Sequence, residues 1–125
     1  MLASPQHDTR ARGRQAEAAA CRYLVAHGLT LLERNFHHRR GEIDLIMREK
    51  SCIVFVEVRY RSDLRFGGGL ASVDRKKQGK LIATALYYLQ THAEAAKQTA
   101  RFDVISIEPG MPEPAITWVR DAFRA

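Results

Sequence analysis

Two acidic residues, Asp44 and Glu57, sit inside runs that otherwise suit β-strands, GEIDLIMR (41–48) and CIVFVEVRY (52–60). Side chains alternate across a strand. In the second run Ile53, Phe55, Glu57 and Arg59 therefore share one face, and Val54, Val56 and Val58 the other. In the first, Glu42 and Asp44 share a face, with Ile43 and Leu45 opposite. A carboxylate in line with Phe55 is costly to bury unless it is paired or bound to a metal. Only Glu49, Lys50 and Ser51 separate the runs, which predicts an antiparallel hairpin, and one family of its registers sets Asp44 beside Glu57. Converging carboxylates repel one another. A hard cation, Mg²⁺ or Mn²⁺, relieves this, using one or two carboxylates with waters and substrate phosphate. Such an ion generates a hydroxide and stabilises charge on phosphate. The competing reading is a buried ion pair of Glu57 with Arg59, Arg61 or Arg101.

Positive charge surrounds this pair along the sequence. His37, His38, Arg39 and Arg40 precede it, Arg61 and Arg65 follow it, and Arg75, Lys76, Lys77 and Lys80 open a later helix. Phosphate contacts supply most non-specific nucleic-acid affinity, so this rim suits a nucleic-acid backbone. The bland alternative is a solvated basic face. Lys77 lies in line with Val73 and Leu81 at four-residue steps, on an otherwise apolar face. Either it snorkels, or its ammonium points into the carboxylate site or toward phosphate. His37 and His38 have no partner at metal-site spacing and are read as loop residues near phosphate. No recognition helix or aromatic stacking platform is evident, so binding should be largely independent of sequence. Asp103 is expected to partner a nearby arginine, and Trp118 to pack in the core.

The elements that must position these residues follow from periodicity. Residues 1–12 are polar and read as a loose tail, with one domain over 13–125. Ala16, Ala20, Tyr23, Leu24 and His27 give a helical stripe that Gly28 ends in a left-handed conformation. LTLLERNF (29–36) is a strand and His37 to Arg40 a basic loop. After the hairpin, Gly67 to Gly69 mark a mobile loop that is not a phosphate-binding loop, since no GK[ST] follows. Ser72 then caps a helix reaching His92, with Asp74 in its first turn and Leu81, Ala85, Tyr88 and Leu89 on one stripe. RFDVISI and AITWVRDAF are strands joined by a Pro-rich turn. The order is αβββαββ, an α/β domain with a mixed β-sheet flanked by helices, and CIVFVEVRY is its central strand, covered on both faces.

The bulk numbers are consistent with this. The chain has 125 residues, 46% hydrophobic and 27% charged, as expected of one soluble globular domain. A net charge of +6 and a pI near 9.7 suit a polyanionic partner. Cys21 and Cys52 form no CxxC unit or zinc-type cluster and read as reduced thiols. No apolar run approaches the roughly 20 residues needed to span a bilayer, and the first residues hold no signal-peptide stretch. A cytoplasmic protein with no membrane partner is expected.

GEIDLI (41–46) followed by VFVEVR (54–59) resembles the D…(D/E)xK signature of the restriction-endonuclease-like superfamily. The chain resembles more closely the YraN family of bacterial proteins, similar in fold to archaeal Holliday-junction resolvases. The likeness runs from about Gly13 to Phe123. It is carried by GRQAE (13–17), Arg34-Asn35, the two acidic runs, the segment from Val73 through Lys77 to Leu89, RFDV (101–104) and the final AF. It implies a restriction-endonuclease-like core. Asp44 and Glu57 would be metal ligands, the Val58 carbonyl a further ligand, and Glu17 a helix-borne glutamate approaching the metal. Glu17 lies at the edge of the helical stripe, where a solvated charge is the alternative. Lys77 matches the family's lysine. The likeness also implies a homodimer, since resolvases of this fold act as dimers. Arg59 departs from the signature's lysine. Arginine stabilises negative charge but stays protonated and does no base work.

Three functions follow. The first is a metal-dependent nuclease or resolvase-like enzyme hydrolysing phosphodiesters in branched or single-stranded DNA, with Asp44, Glu57, Arg59, Lys77 and Glu17 as its catalytic set. The second is a nucleic-acid-binding module that has kept the fold without hydrolysis. The third is a protein-interaction scaffold in which the acidic pair is only an ion-pair network.

Overall fold

The computed structural model describes residues 5–60 and 73–125. Helix α1 (Pro5–Ala26) is followed by strands β1 (Thr30–His38), β2 (Gly41–Glu49) and β3 (Cys52–Tyr60). Helix α2 (Arg75–Thr91), a short helix α3 (Ala93–Ala96), β4 (Thr99–Glu108) and β5 (Ala115–Phe123) complete the described elements. The sheet has five strands in the order β1-β2-β3-β4-β5. It is mixed: β3 and β4 run parallel and all other neighbours are antiparallel. This is the expected α/β arrangement with β3 at the centre.

The helices cover opposite faces. Ala16, Ala20, Cys21 and Leu24 of α1 pack on Leu45, Met47, Val54, Val56, Ile105 and Ile107. Leu81, Ala85 and Tyr88 of α2 pack on Ile43, Ile46, Ile53, Phe55, Phe102 and Val104. Strand β3 is covered on both sides, which is why it is almost continuously apolar. Cys21 and Cys52 are free thiols. Among the described residues no helix is long and apolar enough to cross a membrane.

Local chemistry sets the ends of the elements. Gly28 has φ +98°. Its amide donates to Val25 O and that of Leu29 to Leu24 O, so α1 ends in a Schellman turn sealed by buried Leu29. Helix α1 starts at Pro5 rather than Gly13, so residues 5–12, read as tail, are helical. The stretch lacks an apolar stripe but begins with proline at its first position and contains good helix formers. Strand β1 continues through His38, which confines the basic turn to Arg39 and Arg40. The cap of α2 is Asp74, not Ser72: its Oδ1 accepts from Lys77 N at 2.9 Å. Ser72, Gly67 to Gly69, Arg61 and Arg65 lie outside the described residues.

One break in the pleat matters for the site. Leu45 and Met47 face α1 and Ile46 faces α2, so strict alternation puts Ile43 on the α1 side. Ile43 instead packs in the α2 cluster. The expected face-sharing of Ile43 with Leu45 is therefore overturned. The pairs Arg34–Leu45 and Phe36–Ile43 bracket the break, and between the two β1 residues Asn35 adopts φ +49°. A left-handed residue twists the ribbon locally, which re-aims the side chains beyond it.

Candidate functional site

Asp44 lies at this break, where β2 and β3 part. The pairing of the two strands runs from Glu49–Cys52 to Leu45–Val56. Beyond that rung the Val58 amide donates to Asp44 Oδ2 at 2.8 Å, so a carboxylate takes a strand hydrogen bond. Glu57 sits beside it on the α2 face, in line with Phe55 and only 3% exposed. Lys77 reaches across from the first turns of α2, its Nζ 3.1 Å from Glu57 Oε2, and Arg59 Nη1 lies 3.7 Å from the same oxygen. These cations are close in charge terms, but Oε2 accepts no properly directed hydrogen bond among the described residues. A buried oxygen left this way is uncommon in a settled core.

The electrostatics show the strain of the pair. The Asp44 carboxyl is pushed up from 3.8 to about 9. Burial is the main cause. A hydrogen bond shared with Glu57 and that group's charge add to it, and Glu17 contributes a smaller repulsion. The Val58 N–H pulls the other way. Two carboxyls this close retain a proton between them unless another cation replaces it.

Glu17 is half-buried on α1 and held by Asn35, whose Nδ2 donates to Glu17 Oε1 at 2.9 Å and to Glu42 Oε1 at 3.0 Å. His37 Nε2 is 3.5 Å from the same Glu42 oxygen. Asn35 and Glu42 were not foreseen as part of this cluster. The signal for Asn35 is the residue type itself, since asparagine tolerates the left-handed region at a strand irregularity. Of the remaining candidates, Arg75 and Lys76 are exposed at the start of α2. His38, Arg39, Arg40 and Lys80 line a cleft of about 350 Å³ floored by Gly41, Ala83 and Thr84. Gly41 is there because α2 leaves no room for a side chain: an added Cβ would collide with Thr84 Oγ1. The structure also forms an aromatic pair that the sequence does not announce. The His38 and Tyr87 rings stack 3.5 Å apart at 6°. They are distant in sequence, which is why pattern reading missed them.

Asp103 takes the structural role expected of it. It is fully buried and accepts from Arg101 Nε, Trp118 Nε1 and the Asp121 amide, each at 2.9 Å. Trp118 packs against the α1-side core as expected and adds this hydrogen bond. A second cleft, of about 530 Å³, lies between α2 and β4–β5, lined by Ile82, Leu86, Leu89, Phe102 and Phe123. Arg101, Asp121 and Arg124 also line it, and it holds neither Asp44 nor Glu57. Among the described residues no group of three or more His, Cys, Asp or Glu side chains is arranged to hold a metal. The acidic centre is a pair, with Glu17 and Glu42 beyond it.

The family model described as "Uncharacterised protein family UPF0102" matches residues 16–107. The chain belongs to the UPF0102 (YraN) family. A UPF0102 protein of Nitrosococcus oceani is 50% identical over 92% of this chain and 93% of its own length. One from Methylococcus capsulatus is 50% identical over 90% of each chain, and one from Stutzerimonas stutzeri 46% identical over 94% of this chain and 98% of its own. The UPF0102 match begins at Ala16 in α1, next to Glu17, and ends at Ile107 in β4. It therefore spans every strand and helix that builds the acidic centre.

Proposed function

We propose that this protein is a metal-dependent nuclease with a restriction-endonuclease-like core, hydrolysing phosphodiesters of nucleic acid, DNA above all, at Asp44 and Glu57. The observation that carries the reading is Glu57. It is buried on an apolar face beside a second carboxyl, with an oxygen that no directed hydrogen bond among the described residues satisfies. A structural carboxylate at that depth is expected to have its lone pairs filled, as those of Asp103 are.

The residues fit a hard divalent cation. Asp44 and Glu57 are oxygen donors whose mutual repulsion a cation offsets, and the resemblance adds the Val58 carbonyl. Mg²⁺ or Mn²⁺, when bound, supplies an acidified water and neutralises phosphate charge. The rest is work for this chain. Lys77 brings an amine to Glu57, which Arg59 cannot replace as a proton-exchanging group. Arg59 supplies fixed positive charge beside the same carboxylate. Glu17, held by Asn35, adds negative charge near Asp44. The exposed cations of the β1–β2 turn and α2 hold the nucleic-acid backbone with little dependence on sequence.

Arg59 favours a second reading, a nucleic-acid-binding module without hydrolysis, because the superfamily signature has lysine there. Labelled junction, flap, single-strand, duplex and RNA substrates, incubated with Mg²⁺ or Mn²⁺, separate the two. The nuclease reading expects cutting by wild type and none by Glu57→Ala, which also excludes a contaminant. Retention in a gel shift without cutting, with cutting restored by Arg59→Lys, turns the answer to the second reading. Neither cutting nor retention at low salt overturns both.

A further inference from the structure

We infer that the β1–β2 turn and the adjoining face of α2 form a subsite for an unpaired strand, with Arg39, Arg40 and Lys80 holding phosphate and the His38–Tyr87 stack receiving a base. This rests on the nucleic-acid reading above and names its substrate class.

The cleft of about 350 Å³ has His38, Arg39, Arg40 and Lys80 on its walls, and among the described residues no acidic one lines it. Arg39, Arg40 and Lys80 are exposed, and among the described residues none of them enters an ion pair. Elsewhere Arg101, Arg120 and Arg124 each hold a carboxylate. Permanent cations gathered around a concavity without counter-charge attract an anion. The floor is fixed by close packing. Gly41 lies against the Thr84 hydroxyl, which is fixed there by donating to Lys80 O at 2.8 Å.

The stack stands beside this cleft. His38 and Tyr87 are half-buried, and Tyr87 is backed by the Phe36 ring at 6.2 Å. A rigid aromatic pair next to phosphate-binding cations is what a nucleobase stacks on, whatever its identity. A base within a duplex is already stacked and paired, so only an unpaired one can use it. Lys77, Lys80, Thr84 and Tyr87 follow at steps of three and four and therefore lie along one side of α2. Lys77 touches Glu57. The ten residue steps from Lys77 to Tyr87 span about 15 Å of helix, room for a few nucleotides of one strand. One strand thus passes from the carboxylate pair along α2 to the stack.

Fluorescence anisotropy in EDTA tests this without any need for cleavage. The probes are a labelled single strand, the same strand with abasic sites, and its blunt duplex. Wild type is expected to prefer the intact single strand to both others. Tyr87→Leu should weaken binding of the intact strand by about 10-fold and leave the abasic strand almost unchanged, and Tyr87→Phe should bind as wild type does. Replacing Arg39, Arg40 and Lys80 together with alanine should weaken intact and abasic strands alike and flatten the log–log salt slope by about two. Equal losses on intact and abasic strands in Tyr87→Leu, or duplex binding as tight as single-strand binding in wild type, would overturn the inference. Selective single-strand binding by a protein that cuts nothing supports it while removing the hydrolysis reading.

Discussion

The protein buries carboxylates in two places and treats them oppositely. At Asp103 the compensation is complete. Arg101 donates through Nε and Nη2, Trp118 and the Asp121 amide donate as well, and Arg101 and Arg120 both hold Glu49. The Arg120 guanidinium covers the Trp118 ring at 3.9 Å. Burial opposes the charge on Arg101, but Asp103 and Glu49 together raise its guanidinium above the ordinary range. At Asp44 and Glu57 the described partners are one amide, the Lys77 ammonium out of hydrogen-bond alignment, the Arg59 guanidinium at 3.7 Å and a neighbour of the same sign. The first arrangement ties the end of β2 to β4 and β5. On the proposed reading, the second is left for a bound cation to complete.

The largest test of that contrast is Asp103→Ala. Removing one partner of a buried network strands the other charge, and the expected cost is ~3–5 kcal/mol in urea denaturation. A loss below ~1 kcal/mol, the usual worth of a surface pair, would erase the distinction between the sites. Gly41→Ala comes next, at ~1–3 kcal/mol, because the new methyl meets Thr84 and must push α2 outward. That movement should loosen Lys77 from Glu57 but leave the Trp118 emission unchanged, since its hydrogen bond to Asp103 lies on the opposite face. A shifted tryptophan spectrum would mean that the two regions are not independent.

Acidity distinguishes them further. The Asp44 carboxyl binds its proton more tightly in the folded chain, at about 9, than at its ordinary 3.8. Its contribution to stability is therefore fully present below about pH 4 and lost as the pH rises toward 9. Glu49 runs the other way. Arg120 is the main cause, and Arg101 helps to hold it below 4.5 against some burial, so its contribution is present above that range and lost as pH falls. Denaturation of metal-free wild type and Asp44→Asn from pH 5 to about 9 should show the variant gaining on wild type throughout. A difference that stays flat across that range contradicts the burial assigned to Asp44.

The sequence made this contrast only half visible. Alternation along β3 put Glu57 in line with Phe55, and the polar turn put Asp44 near it, because period-two patterning and hairpin signals are local. That Asp103 pairs with a nearby arginine was also legible, but Arg101, a candidate partner for Glu57, goes to Asp103 and Glu49 instead. Contacts between distant elements were not legible. Nothing in HHRR announces a partner at Tyr87, and the bridge from Asn35 to Glu17 and Glu42 depends on where α1 docks. The break in β2 was hidden as well, because it arises from a left-handed Asn35 on the neighbouring strand and not from the residues of β2. The cap moved from Ser72 to Asp74 because both types can cap, and only the start of the helix decides between them.

The most direct measurement is calorimetric titration of Mn²⁺ into wild type and Asp44→Asn at about pH 8, with Asp103→Asn as the control from the other carboxylate site. Wild type should bind with release of a proton, since a cation there displaces the one Asp44 retains. Binding should be lost in Asp44→Asn and persist in Asp103→Asn. Equal binding in wild type and Asp44→Asn, or none in wild type, would contradict a cation site at Asp44 and Glu57.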